Sequence, residues 1–330
     1  MTKRLAASDE TAARRILLLG VNGRLGTAIR NEFARRALKP GGSSAAQLIA
    51  PLRNKLALDT TRPLEASRRW IEQWRPDAIV NCIAMSDVDR CERETHPARA
   101  LNAELPGALA SATQKRNVRL IHFSTDFVFD GALHRPYRED DATNPLSVYG
   151  TTKLAGETAI ASEGGSYWIF RVSWLYGGPN RNLAATLLDP ANARRAIALA
   201  DDRAGVPNPV GLLAREVVAA IERGDGSGAG AAGSGNGNGT ANAQPVSGIY
   251  HLSCHGATTW HAFGREFVER AVAAGRIPVG QAPLIERYDE NAHRRPAPRP
   301  EWSVLDCALY ESVFERKLPS WREAIAFALE

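Results

Sequence analysis

"RRILLLGVNGRLG", residues 14–26, decides the fold. Its first half is a short apolar run ending in glycine, the pattern of a parallel strand buried on both faces. Its second half spaces Gly20, Gly23 and Gly26 as G-x-x-G-x-x-G and leads into a helical stretch through about Ala37. A bound pyrophosphate needs that order. The chain must turn tightly, bring bare backbone close to the phosphates and present the free N–H groups of a helix start. The stretch therefore predicts a dinucleotide-binding strand–turn–helix unit.

Working outward, the alternation continues. "QLIAPLR" (47–53) is predicted as a second strand, "ASRRWIEQWR" (66–75) as a helix and "DAIVNCIA" (77–84) as a third strand. One helix over 97–116 leads into the strand "VRLIHFST" (118–125), and after a helix around 147–157 comes the strand "SYWIFRVSWLYG" (166–177). Strands buried on both faces, alternating with helices, give an α/β fold with a doubly wound parallel sheet, the Rossmann arrangement. The predicted division is a dinucleotide-binding domain over 14–175 that returns around 208–253. A smaller C-terminal substrate domain takes 176–207 and 254–330. The tract 224–244, rich in glycine, serine and asparagine, cannot bury enough apolar surface to order itself and reads as a flexible insertion. "HRRPAPRP" (293–300) is proline-locked and extended, and 321–330 reads as a closing amphipathic helix.

Composition narrows the function. The chain has 330 residues, 44% hydrophobic and 23% charged, as an ordinary globular protein does. No apolar stretch approaches 18 residues, so a spanning helix is not expected, and residues 1–14 lack the apolar core of a signal peptide. A net charge of +5 is scattered without a basic run or aromatic–basic stripe, which argues against nucleic acid and for an anionic small molecule. Cys82, Cys91, Cys254 and Cys307 show no C-x-x-C spacing, pointing to a reducing cytoplasm. His251, Cys254 and His255 lie close in sequence, but strand alternation would splay them, so no metal site is assigned.

Two further features carry chemistry. The second strand is expected to end at "PLRN" with Arg53 and no carboxylate. An acid there would hold a free ribose 2′-OH, whereas Arg53 and Arg24 suit a 2′-phosphate, so NADPH is favoured over NADH. Tyr149 and Lys153, in "SVYGTTKLAGE" (147–157), stand four residues apart on one helix face. A ketone that accepts hydride becomes an alkoxide and needs a proton donor within reach. Tyrosine can be that donor if a neighbouring ammonium lowers its pKa, the role expected of Lys153.

Taken together, "GVNGRLG", "RPDAIVNCIA", "VDRCE", "HFSTDFVFDG", "PLSVYGTTKLAGE", "WIFRVSWLYG", "GIYHLSCHGATTW" and "RPEWSVLD" resemble the extended short-chain dehydrogenase/reductase family. Within it they look like the dTDP-4-dehydrorhamnose reductases. The resemblance spans residues 16 to about 306. It implies NADPH-dependent reduction of the C4 ketone of dTDP-4-dehydro-L-rhamnose. It also implies catalytic roles for Thr125, Tyr149 and Lys153, and substrate contacts at Asp126 and at Trp174, which would pack on the sugar. Cofactor contacts are implied at Gly23, Arg24, Leu25, Asp59, Thr60, Ala84, Met85 and Ser86. It admits Mg²⁺ without assigning ligands, and a monomer or a homodimer. Arg299, retained in the family pattern on a proline-stiffened segment, is a candidate for the diphosphate. Leu183, Asp202, Arg203, Asn208, His293, Arg294 and Arg295 depart from that pattern. Two other readings stay open: a reductase of another nucleotide-linked 4-keto sugar, and a non-catalytic relative such as a methionine adenosyltransferase regulatory subunit. A dehydratase would carry glutamate after Asp126, where Phe127 stands.

Overall fold

The computed structural model describes residues 13–38, 46–179, 182–223, 245–289 and 295–329. The insertion 224–244 and His293 and Arg294 lie outside these residues. Six parallel strands form the central sheet: β1 (Arg14–Leu19), β2 (Ala46–Ile49), β3 (Ala78–Asn81), β4 (Arg119–Thr125), β5 (Tyr167–Val172) and, further along the chain, β9 (Gly248–His251). Their spatial order is β2-β1-β3-β4-β5-β9. The order reverses between β1 and β3, so their carboxyl ends open the crevice in which doubly wound sheets bind ligands.

Alternation along β1 shows why the strands read as unbroken apolar runs. Ile16 and Leu18 enter one core with Phe33, Phe170, Val217 and Tyr310. Leu17 and Leu19 enter another with Trp70, Leu105, Leu109 and Ile160 on the opposite face. Both faces are covered, so neither can be polar.

A third core lies beyond the sheet and gathers Tyr176, Val206, Leu212, Phe263, Phe267 and Trp321. Its strands are short. β6 (Leu175–Tyr176) pairs with β8 (Asn208–Pro209), and β7 (Ala196–Ala200) with β10 (Leu284–Tyr288), each pair parallel. The segment with Leu305, Tyr310 and Phe314 returns to the sheet-side core.

Four expected elements differ. The second strand stops at Ile49. Pro51 has no N–H for the ladder, and the chain turns into a short helix, Arg53–Leu56, so Arg53 opens that helix and does not end a strand. The run 166–177 is not one strand. Trp174 adopts φ 42°, a left-handed conformation uncommon outside glycine, and this separates β5 from β6. The helix over 97–116 contains a π turn at Ala100–Glu104, where Leu105 N–H reaches the Ala100 carbonyl. Pro106 follows and cannot supply the N–H that a regular turn would direct to residue 102. The closing helix is likewise two short pieces, Trp321–Ala324 and Ala326–Leu329.

Candidate active site

A cavity of about 940 Å³ lies over the carboxyl ends of the sheet strands, between the sheet and the third core. Its floor begins at the glycine turn. Gly20 has φ +79°, and a Cβ on Gly26 would lie 2.3 Å from the Gly20 carbonyl oxygen, so any side chain there would push the helix off the turn. Gly23 caps the helix Arg24–Ala37 with no side chain of its own, leaving the first-turn N–H groups directed at whatever binds. Gly23, Arg24, Leu25 and Gly26 line the cavity; Gly20 shapes the turn without lining it. Arg24 Nη1 donates to the Leu175 carbonyl at 2.7 Å, and burial lowers its pKa.

The loop after β3 supplies Ala84 and Ser86. Met85, expected beside them, turns inward to pack with Cys91 and Ala98. Asn102, from the π turn, accepts from Met85 N–H at 2.8 Å and donates to the Met85 carbonyl at 3.0 Å. It also donates to Thr152 Oγ1 at 3.1 Å, tying this loop to the helix that carries Tyr149 and Lys153.

That helix, Val148–Glu163, starts where two donors are met. Ser147 Oγ accepts from Gly150 N–H, and Glu92 from Val148 N–H. Tyr149 and Lys153 both line the cavity, as do Thr125 and Asp126 at the end of β4. Thr125 Oγ1 donates to Asp126 Oδ1 at 3.0 Å and accepts from Phe127 N–H at 3.2 Å. Burial raises the Asp126 carboxyl to about 7, with Ser303 and Thr125 opposing. Burial also pushes the Tyr149 phenol up, and the Thr125 hydroxyl partly opposes this. The expected lowering of Tyr149 by Lys153 is not found here. The Lys153 amine points instead to His122 Nε2 at 3.1 Å and donates to the Phe123 carbonyl at 2.5 Å. Burial brings it down to about 8.

The opposite wall holds Trp174, Trp260, Arg203, Tyr288, Arg295 and Arg299. The Trp174 indole stacks on Trp260 with centroids 4.3 Å apart, so one of its faces is already covered. Gly205 closes in beside it; a Cβ there would lie 2.3 Å from indole Cε2. Arg299 grips Asp89 with both Nη atoms, at 3.2 and 2.9 Å, and Arg203 Nη1 donates to the Arg299 carbonyl at 2.6 Å. Burial raises the Asp89 carboxyl, but Arg299, the Ala297 N–H and Arg295 together outweigh it and leave it below its usual range.

Besides Gly20 and Met85, three more expected cofactor residues lie outside the cavity lining. Arg53 and Thr60 are exposed. Asp59, also exposed, accepts from the Thr61 N–H and hydroxyl at 2.9 and 2.6 Å, which ends its turn and draws its pKa down. Among the described residues no group of three His, Cys, Asp or Glu is placed to hold a metal ion. His251 faces the Tyr137 and Asp306 carbonyls while His255 pairs with Glu311, so "HLSCH" does splay. The four cysteines are free thiols. No helix among the described residues is long and apolar enough to cross a membrane.

Sequence reasoning missed Asn81, Asn102, His122 and Trp260. Trp260 stands in a recognised stretch, "GATTW", and was legible there. Asn81 and His122 stand in recognised stretches too, "RPDAIVNCIA" and "HFSTDFVFDG", but nothing local signals what they or Asn102 touch, because only the fold brings them to Lys153 or to the loop after β3.

The family described as RmlD substrate binding domain matches residues 14–330. A dTDP-4-dehydrorhamnose reductase of Burkholderia thailandensis is 33% identical over 96% of this chain and 98% of its own. That of Escherichia coli K12 is 34% identical over 94% and 95%. The crystal structure of a dTDP-4-dehydrorhamnose reductase from Clostridium acetobutylicum superposes with a TM-score of 0.77 at 26% identity, covering 96% and 98% of the two chains. With the glycine turn, the Thr125–Tyr149–Lys153 grouping and these relatives in agreement, the chain belongs to the RmlD substrate-binding-domain family, alongside the dTDP-4-dehydrorhamnose reductases.

Proposed function

We propose that the protein is an NADPH-dependent reductase of the C4 ketone of dTDP-4-dehydro-L-rhamnose. The observation that carries this reading is a single cavity in which Thr125, Tyr149 and Lys153 face the glycine turn at the sheet's switch point. The turn fits a dinucleotide: it leaves bare backbone and a helix N-terminus where a pyrophosphate would sit. Gly23, Arg24, Leu25, Ala84, Ser86 and Lys153 would hold that cofactor, which supplies hydride when bound. No acid stands between Ile49 and Asp59, and Asp59 is engaged by Thr61, which supports the phosphorylated dinucleotide.

The chain's own residues then handle the oxygen. Thr125 orients the carbonyl, and Tyr149 gives its phenolic proton to the oxygen as negative charge develops there. Burial keeps the phenol protonated, and the alkoxide that develops on the substrate is a strong enough base to take that proton. Trp174 and Trp260 form an aromatic wall for the sugar. Arg203, Arg295 and Arg299 supply cationic character for a diphosphate, with Asp89 holding the Arg299 fork in place. We assign residues 14–175 and 208–253 to cofactor binding. Substrate binding falls to 176–207 and the C-terminal part, with 305–318 packed back on the sheet.

Incubation of the purified protein with NADPH and dTDP-4-dehydro-L-rhamnose tests this. Loss of NADPH absorbance with formation of dTDP-L-rhamnose is expected. NADPH binding without turnover would favour the non-catalytic relative, and turnover only with another 4-keto sugar would correct the substrate.

A further inference from the structure

Behind Lys153 lie two buried polar side chains, linked to it in series, that the reaction scheme leaves unused. Asn81, at the end of β3, and His122, in β4, are each about 1% exposed. Asn81 Nδ2 stands 3.2 Å from His122 Nδ1, and His122 Nε2 stands 3.1 Å from Lys153 Nζ. One contact fixes the polarity of the chain. Asn81 Oδ1 accepts the Ile83 backbone N–H at 3.1 Å, and a backbone N–H can only donate. A flipped amide would set two donors against each other, so the amide NH₂ must face the imidazole. His122 Nδ1 is then an acceptor, and a neutral imidazole carries its proton on Nε2.

That proton points at Lys153. An ammonium has no lone pair, so only the neutral amine can accept it, while still donating to the Phe123 carbonyl. We propose that His122, fixed in tautomer by Asn81, is a positioning residue that sets the protonation state of Lys153. It touches neither substrate nor cofactor and acts through the lysine alone. Charging the lysine requires the imidazole to be rewired. One proton enters the pair from solution, Nζ becomes an ammonium, and the imidazole proton moves from Nε2 to Nδ1, against the Asn81 NH₂. The donor–donor conflict at that end adds to burial in disfavouring the charged form.

The groups around the pair agree with this assignment. Cys82, beside β3, and Glu157, on the lysine's own helix, are the other titratable groups acting on Lys153. Burial pushes the Cys82 thiol far up, so it is neutral. Glu157 is held by Arg171, with Nη2 to Oε2 at 2.7 Å. His122 itself is held well below its usual pKa by burial and by Lys153, so the imidazole is neutral and its tautomer is what changes.

The inference rests on Lys153 belonging to the reducing site, but its first test does not. Ligand-free protein labelled with ¹⁵N-histidine is titrated by NMR, with the His122 signal assigned by its loss in His122→Gln. The protonated nitrogen should change from Nδ1 to Nε2 as pH rises through the lysine's titration, at about 8. In Asn81→Asp, one carboxylate oxygen keeps the Ile83 N–H and the other accepts Nδ1–H, so Nδ1 should stay protonated throughout. The second readout is the pH profile of kcat/KM for NADPH oxidation. Asn81→Asp should shift its Lys153 limb upward by at least about one pH unit, which a merely structural role for Asn81 would not do. A His122 tautomer that is constant with pH in the wild type overturns the proposal, and so does an unmoved limb in Asn81→Asp. If Asn81→Asp does not fold, the wild-type titration decides alone. If the protein reduces no keto sugar, the NMR result still stands or falls by itself.

Discussion

At the scale of single residues, Tyr149 and Asp126 carry the sharpest expectations. Tyr149→Phe removes the proposed proton donor while keeping the ring that packs edge-on against Phe127, so the fold and NADPH binding should persist. Its kcat should fall by at least ~10²-fold, the low end for losing a general acid, as steady-state kinetics would measure. Asp126 makes a statement about stability. Its folded pKa is raised from 3.8 to about 7, so between those values the native state holds a proton that the unfolded chain has released. This contribution is complete below pH about 4 and is lost as pH rises through about 7. Urea melts of wild type and Asp126→Asn should therefore converge at low pH, with the variant gaining in relative stability towards neutrality. A stability difference independent of pH would mean that the carboxyl titrates alike in the folded and unfolded states. Thr125, Tyr149 and Lys153 were legible in the sequence because they lie in short contiguous motifs. The orientation of Lys153 was not, because the partner that turns it, His122, comes from a different strand.

At the scale of elements, the sheet was readable because strands buried on both faces are mostly apolar, and their buried polar residues, such as Asn81, His122, Arg171 and His251, are too few to hide the pattern. What failed was punctuation inside apolar runs. Trp174 breaks its strand by a backbone angle that no periodicity records, and the π turn at Ala100–Glu104 is hidden in a good helix former's composition. That turn has a use: it aims Asn102 at both the N–H and the carbonyl of Met85. Asn102→Ala would leave the buried Met85 N–H unpaired and its carbonyl with only the weak Cys91 thiol donor, at a cost of about 1–3 kcal/mol. The loop with Ala84 and Ser86 should loosen, weakening NADPH binding by at least about tenfold in fluorescence titration. Unchanged affinity would show that the loop is held by other contacts.

At the scale of the whole molecule, two cores meet along one cavity, and the chain crosses between them several times, at residues 173–176, 206–212 and 252–254 among others. Such crossings make a boundary drawn at one residue a poor description, and the return of Tyr310 and Phe314 to the sheet is a case no composition change announces. The insertion sits between Arg223 and Pro245, outside the described residues. Replacing residues 226–242 by a short Gly-Ser link should leave kcat and Tm nearly unchanged, because loop-closure cost grows only slowly with length. A large drop in either would assign the tract a structural or functional part.

The contact between Gly205 and the Trp174 indole has a consequence for inheritance. With only 2.3 Å between a notional Cβ at 205 and the ring, position 205 cannot drift while Trp174 stands. Gly205→Ala alone should lower Tm and distort the aromatic wall, whereas joined to a smaller residue at 174 it should regain most of the Tm. In a lineage, that makes the two codons a linked pair: the path from one aromatic wall to another runs through the tryptophan first and the glycine second.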